Sequence, residues 1–231
     1  MNRMSKDACR GRHVRGNDGG DRALIERLCA VCVSEAGVDG GGISLLTASM
    51  IPFAVHATDA LSARIEDLQF TIGQGPCVDA SRDGAPVLVA DLISTTDEVL
   101  DRWPIFVAEA RQFGVRAIFA FPVRIGDVAL GVVELYRGRP GPLTAVQLSR
   151  TLSTVDNLGW EVLDLDGHQP GGDNSAYPMT VHQAAGMVTV QLGCSIDEAL
   201  VRLRAAAFVR GRPVAGLAAE IVARRTRLSE E

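Results

Sequence analysis

The apolar residues of this chain recur in two rhythms, a helical one of three and four positions and an alternating one of two, and the changes between them mark out its elements. From Ala23 to Ala36, the residues Leu24, Leu28 and Val31 lie on one side of a helix that Gly37 closes. Gly40-Gly41-Gly42 then introduces two strand-like runs, 43–48 and 51–58, which predict a hairpin. Thr58 or Asp59 can cap a helix through Ala60, Leu61, Ile65 and Leu68, and the turn Gly73-Gln74-Gly75-Pro76 ends it. A short helix over 77–82, a short strand over 86–90 and a helix over 103–113 follow, the last stopped by Gly114. The clearest strand pair is 117–125 with 128–136, joined by Gly126-Asp127 in the position of a tight antiparallel turn. A long helix over 144–165 aligns Val146, Leu148, Leu152, Val155, Leu158, Val162 and Leu165 on one stripe, enough to leave the sheet and pair with a second copy.

The rhythm then stops. Residues 166–178 are rich in Gly, Pro, Asp and Asn without periodicity and read as a linker. Beyond it three short helices are predicted. The first, 180–192, carries Val181, Ala184, Ala185, Val188 and Leu192 on one stripe and is closed by Gly193. The second opens with Ser195-Ile196-Asp197-Glu198, the spacing of a capping box in which serine and glutamate satisfy each other's backbone N–H groups, and buries Ile196, Leu200, Leu203 and Ala207. Gly211 ends it, and Pro213 starts a third helix burying Val214, Leu217, Ala218, Ile221 and Leu228. The fold class is therefore α+β: a tail over 1–20 expected to be disordered, a domain over 21–165 with an antiparallel sheet flanked by helices, the linker, and a three-helix domain over 179–229.

Composition narrows the function classes. At 231 residues, 47% hydrophobic and 22% charged, the chain is an ordinary globular protein with no apolar run of membrane-spanning length. The arginines near the start precede no apolar segment, so no signal peptide is read. Five scattered cysteines, Cys9, Cys29, Cys32, Cys77 and Cys194, suit reduced thiols, and the expected location is the cytoplasm. Net charge is −5, but the segment from Met179 carries seven arginines against five acids, so any nucleic-acid contact is expected from this end.

The run Phe70-Thr-Ile-Gly-Gln-Gly-Pro-Cys-Val-Asp-Ala80 followed by Gly84-Ala-Pro-Val-Leu-Val-Ala-Asp91 resembles the G-E-G-P-C and P-V-x-V-x-D-L segments of bacterial GAF domains, and Gly131-Val-Val-Glu-Leu-Tyr-Arg137 resembles that family's last strand. The later pieces Gln183-Ala-Ala-Gly-Met187, Gly193-Cys-Ser-Ile-Asp-Glu-Ala-Leu200, Leu203-Arg204 and Leu217-Ala218 resemble, with their spacing, the ANTAR domain of transcription antitermination regulators. The resemblance implies a GAF sensor joined to an ANTAR domain that dimerises and binds paired RNA stem-loops in nascent transcripts. It departs at Ala185 and Gly211, where the family carries polar or basic residues.

For RNA contact the candidates are Arg202, Arg204, Arg210, Arg212, Arg224 and Arg225, with Arg202 and Arg212 foremost, since arginines can neutralise phosphates and stack on loop bases. The alternative is a solvated helix face on a sensory or protein-interaction module with weakened or lost RNA binding. Cys29-x-x-Cys32 has no companion pair at metal-ligand spacing and reads as two core thiols, as does Cys77. The four histidines are scattered, and no cofactor or metal is expected. A small-molecule ligand of the first domain would sit between the sheet and the helices around Ile65 to Val78. No phosphate-cradling loop, G-x-S-x-G or His-Glu metal motif occurs, so catalysis is not expected.

Overall fold

The computed structural model describes residues 18–46, 51–94, 97–165 and 176–228. The predicted tail up to residue 17, Cys9, His13, His168, the end of the first strand run and most of the linker lie outside them. Among the described residues the elements follow in order: α1 (Asp18–Ala36), β1 (Gly40–Leu46), β2 (Pro52–Ala57), α2 (Ala60–Ile72), α3 (Pro76–Asp83), β3 (Val87–Val89), α4 (Asp97–Arg102), α5 (Pro104–Gln112), β4 (Ala117–Ile125), β5 (Val128–Arg137), α6 (Ala145–Leu165), α7 (Ala176–Leu192), α8 (Ile196–Val209) and α9 (Val214–Val222).

The five strands form one antiparallel sheet in the order β2-β1-β5-β4-β3. Side chains alternate across it, as the pleat requires. On one face Ile43, Phe119, Phe121, Val133 and Leu135 pack with Cys29 and Cys32 of α1 and Val155 and Leu158 of α6. On the other, Ile118 joins Ile65 of α2 and Trp103 and Phe106 of α5, while Ala120 and Val132 meet Cys77 and Ala80 of α3. This second face also carries the buried polar residues Ser44 and Glu134, where the candidate site forms.

Several local expectations hold. Asp59 caps α2, its Oδ1 accepting from the Ser62 N–H at 2.7 Å. Ser195 caps α8, accepting from the Glu198 N–H at 3.2 Å. The capping box is nevertheless only half made, because the Glu198 carboxylate takes the Arg202 guanidinium at 2.7 Å instead of the serine backbone. The glycines at 40–42 are strand, not a lead-in: a Cβ on Gly41 would stand 2.6 Å from the Glu134 carbonyl oxygen, so the close approach of β1 to β5 requires glycine there. Val146, placed on the apolar stripe by spacing, is 61% exposed, while Leu143 and Leu148 on either side of it pack against the core. Helix α4 went unread, its six residues being too few to show a period.

The three C-terminal helices close their own core around Val181, Ala184, Val188, Leu200, Leu203, Leu217 and Ile221. Helix α7 begins at Ala176, inside the segment read as linker. Helix α9 stops at Val222, so Arg224, Arg225 and Arg227 stand in the turn after it, and Leu228 reaches the core from that turn. Arg224 adopts the left-handed conformation at φ 58°, the geometry that terminates a helix. The three-helix domain leans on the sheet domain through α8 and α2, with Ile51 and Phe70 packed against its core. Among the described residues no helix is long and apolar enough to cross a membrane.

Candidate functional site

The helix α2 brings Glu66, Gln69 and Phe70 to the polar face of the sheet, and the tight turn into α3 brings Cys77 beside them. Gln69 is the pivot. Its Oε1 accepts from the Cys77 backbone N–H at 2.8 Å and its Nε2 donates to Glu134 Oε2 on β5. Glu66 Oε2 accepts from the Ser44 hydroxyl on β1 at 2.6 Å. The second oxygens of Glu66 and Glu134 are buried with no hydrogen-bond partner. Two carboxyl groups thus share one buried region between α2 and the sheet.

Burial pushes the Glu66 carboxyl up to about 7 from an ordinary 4.5, and burial together with the neighbouring Glu66 raises Glu134 well above its ordinary range. The sign for stability follows. Between pH 4.5 and 7 the folded chain holds on Glu66 a proton that the unfolded chain has released, so the Glu66 contribution to stability falls as pH rises through that window and levels off above it. For Glu66 the span corresponds to roughly 3 kcal/mol. Replacing Glu66 by glutamine removes the titrating group. Relative to the parent, Glu66→Gln is therefore expected to gain about 1–3 kcal/mol between pH 5 and pH 8 in urea unfolding. An unchanged difference at the two pH values would show that Glu66 is already ionised at little cost.

Beside this network lies a cavity of about 150 Å³ in the region expected from sequence, lined by Glu66, Gln69, Phe70, Cys77 and Val78 of the first domain, and also by Arg204 from α8. The thiols behave as read. Burial raises Cys29 and Cys32 to about 12 and Cys77 well above its usual value, so all three are protonated core groups at neutral pH. Among the described residues no group of three or more His, Cys, Asp or Glu could hold a metal ion.

The six candidate arginines divide. Arg202 is paired with Glu198, and Arg212 donates to both oxygens of Glu220 at 3.1 and 2.9 Å, so the two foremost candidates are engaged in ion pairs. Arg204 points at the sheet domain, its guanidinium 5.5 Å from the centre of the Phe70 ring, and burial lowers its pKa. Arg210, Arg224 and Arg225 are exposed. Arg224 joins Arg227 along an open groove whose other wall is Gln183, Gly186, Met187 and Val190 of α7. Sequence reading missed this grouping, because it joins the first of the three helices to the turn after the last. Ala185 is wholly buried in the three-helix core, so alanine at that position keeps an apolar core contact.

The GAF domain family model matches residues 22–164, spanning the sheet and its flanking helices. No curated protein matches the chain. Two similar solved structures agree with the architecture at low sequence identity. One is a domain of a Sinorhizobium meliloti protein assigned as a two-component sensor histidine kinase, with 16% identity, 63% of this chain and 93% of that one covered, and a TM-score of 0.50. The other is the GAF domain region of a Geobacter sulfurreducens protein assigned as a membrane protein, with 14% identity, 64% and 95% covered, and a TM-score of 0.51. With the family match running over most of the chain and the five-stranded antiparallel sheet and flanking helices in place, the chain belongs to the GAF domain family.

Proposed function

We propose that the chain is a cytoplasmic, non-catalytic regulator in which the GAF domain senses a signal, and the C-terminal three-helix domain, of ANTAR type, binds RNA stem-loops to control transcription termination. The observation that carries this reading is the groove between α7 and the turn after α9. Gln183, Gly186 and Met187, which carry the ANTAR resemblance, line it opposite Arg224 and Arg227. Such a groove suits an RNA loop: the arginines meet phosphates while unstacked bases lie on Met187 and Val190. Val31 on α1 and Val146 and Trp160 on α6 are exposed, and these two packed helices offer the surface on which a second copy would present its own groove to a paired stem-loop.

The test is a gel-shift series with paired hexaloop RNAs against scrambled loops at moderate salt. The hexaloops are expected to bind preferentially, and Arg224→Gln with Arg227→Gln should weaken binding and flatten the dependence of log K on log salt by about 1.4, the value for two single-strand phosphate contacts. Equal binding of scrambled loops sinks the RNA reading. A second reading, a sensory or protein-interaction module with weakened RNA binding, is favoured by two observations. Arg202, Arg204 and Arg212 are engaged within the chain, and the same domain exposes Val190, Val201, Phe208 and Val209. Apolar side chains at that exposure are what a protein partner would cover.

A further inference from the structure

The cavity beside Gln69 is not walled by the GAF domain alone. Arg204, from α8 of the three-helix domain, forms part of its lining and stands over Phe70. Its Nε–H is buried without a hydrogen-bond partner, and no ion pair to its guanidinium is found among the described residues. Stacking on the ring recovers part of the lost hydration, but a buried donor left unsatisfied remains unfavourable.

The other polar groups of the lining are committed except for one acceptor, Glu66 Oε1, which is buried without a partner. The Gln69 amide is used at both ends, by Cys77 and Glu134. The Ser81 hydroxyl donates to the Val78 carbonyl, Arg82 is held by Asp79 and Asp83, and Glu66 accepts from Ser44. Arg204 is thus the lining cation with a buried donor to spare, whereas the Arg82 side chain is 62% exposed. The rest of the wall is largely apolar, with Ile51, Pro52, Ala54, Phe70 and Val78 contributing. A cavity of about 150 Å³ is the size that in an engineered protein interior accepts benzene.

We propose that this cavity is a composite ligand site, completed across the domain boundary by Arg204, that takes a small carboxylate with a compact apolar body. The carboxylate supplies the counter-charge and the acceptor that Arg204 lacks, and the body fills the apolar wall. A phosphate fits less well, because a strongly hydrated dianion needs more donors than one guanidinium offers. The ligand touches both domains, so its binding tightens the contact of α8 with α2 and links occupancy to how the three-helix domain is presented. The proposal rests on reading the GAF domain as a sensor of a small molecule; RNA plays no part in it.

The test follows thermal melting of the full chain titrated with isobutyrate and benzoate, beside isobutyramide, benzamide and inorganic phosphate. Fragments of this size bind in about the millimolar range. Saturable stabilisation is expected with the two carboxylates and not with the amides or phosphate. Arg204→Gln should weaken the carboxylate response at least about tenfold, the loss of one buried charge-assisted bond. Ala54→Leu, on the exposed side of β2, fills the cavity and leaves Arg204 intact, so it should abolish the response without lowering the ligand-free melting temperature. Equal shifts from amides and carboxylates overturn the proposal, as do an undiminished response in a folded Arg204→Gln or in Ala54→Leu, a response to phosphate alone, or no carboxylate response. An amide response alone removes this proposal and keeps the sensor reading, whereas failure of the hexaloop gel shift removes the RNA reading and leaves the carboxylate titration untouched.

Discussion

Leu203→Ala is expected to unfold the three-helix domain while the sheet domain stays folded. Leu203 is fully buried at the centre of the core formed by α7, α8 and α9. Truncating a buried leucine costs about 2–5 kcal/mol, through lost transfer energy and the cavity left behind. A unit of about fifty residues buries only about 60% of its unfolded surface, so its total stability is of the same order as that loss. The helical signal of the 17, 14 and 9 residues of α7, α8 and α9 should fall, with hydrogen exchange fast across residues 176–228 and slow in β4 and β5. RNA binding, if it resides in this domain, goes with it. Simultaneous loss of protection in the sheet would show instead that the α2–α8 contact makes the two domains one cooperative unit.

The second large effect is expected at Gln69. Gln69→Leu keeps the volume but leaves the Cys77 backbone N–H and Glu134 Oε2 without their partner, next to a Glu134 oxygen that already has none. Each buried group so stranded costs about 1–3 kcal/mol, so a loss of roughly 3–5 kcal/mol is expected in urea unfolding. The loss should be no smaller at pH 8 than at pH 5: the Gln69 hydrogen bond lowers the Glu134 pKa, so removing it raises that pKa further and adds to the cost of the folded state wherever Glu134 ionises. A loss below about 1 kcal/mol at both pH values would show that water takes over the amide's role. The same arrangement explains the glycine in the turn: a Cβ on Gly75, at φ 132°, would sit 2.3 Å from Gln69 Oε1. No side chain fits there while Gln69 reaches Cys77.

The arginines show how far residue spacing can be carried. Spacing puts Arg202 on the outer side of α8, and it is there, but one turn away stands Glu198, which pairs with it. Arg212 stands where the resembled family carries a basic residue, yet Glu220 on α9 folds back within reach of both its Nη atoms. Arg204 reads as a flanking charge and proves to line the cavity beside Gln69. In each case the deciding partner is either a side chain whose rotamer spacing does not specify or a residue from another element. Ala185 shows the same limit. As a departure from a family pattern it suggests a lost cation, but in the fold it is a buried core contact.

What the sequence by itself determined is what local chemistry controls. Period and turn residues define β4, β5 and the Gly126-Asp127 turn, most of the buried stripes of α7, α8 and α9, and the caps at Asp59 and Ser195, because each depends on residues within a few positions of one another; Ile196, expected in the α8 stripe, is 44% exposed at the first turn of the helix. They also put the helical segment after the sheet. Only the tertiary structure decided that β1 lies between β2 and β5, that Glu66, Gln69 and Cys77 converge on Glu134 across 65 positions of chain, and that Arg204 closes a cavity in the other domain. The reason is physical. Strand order and buried polar partnerships are set by which apolar faces must be covered at once, a condition on the whole core that no local pattern encodes.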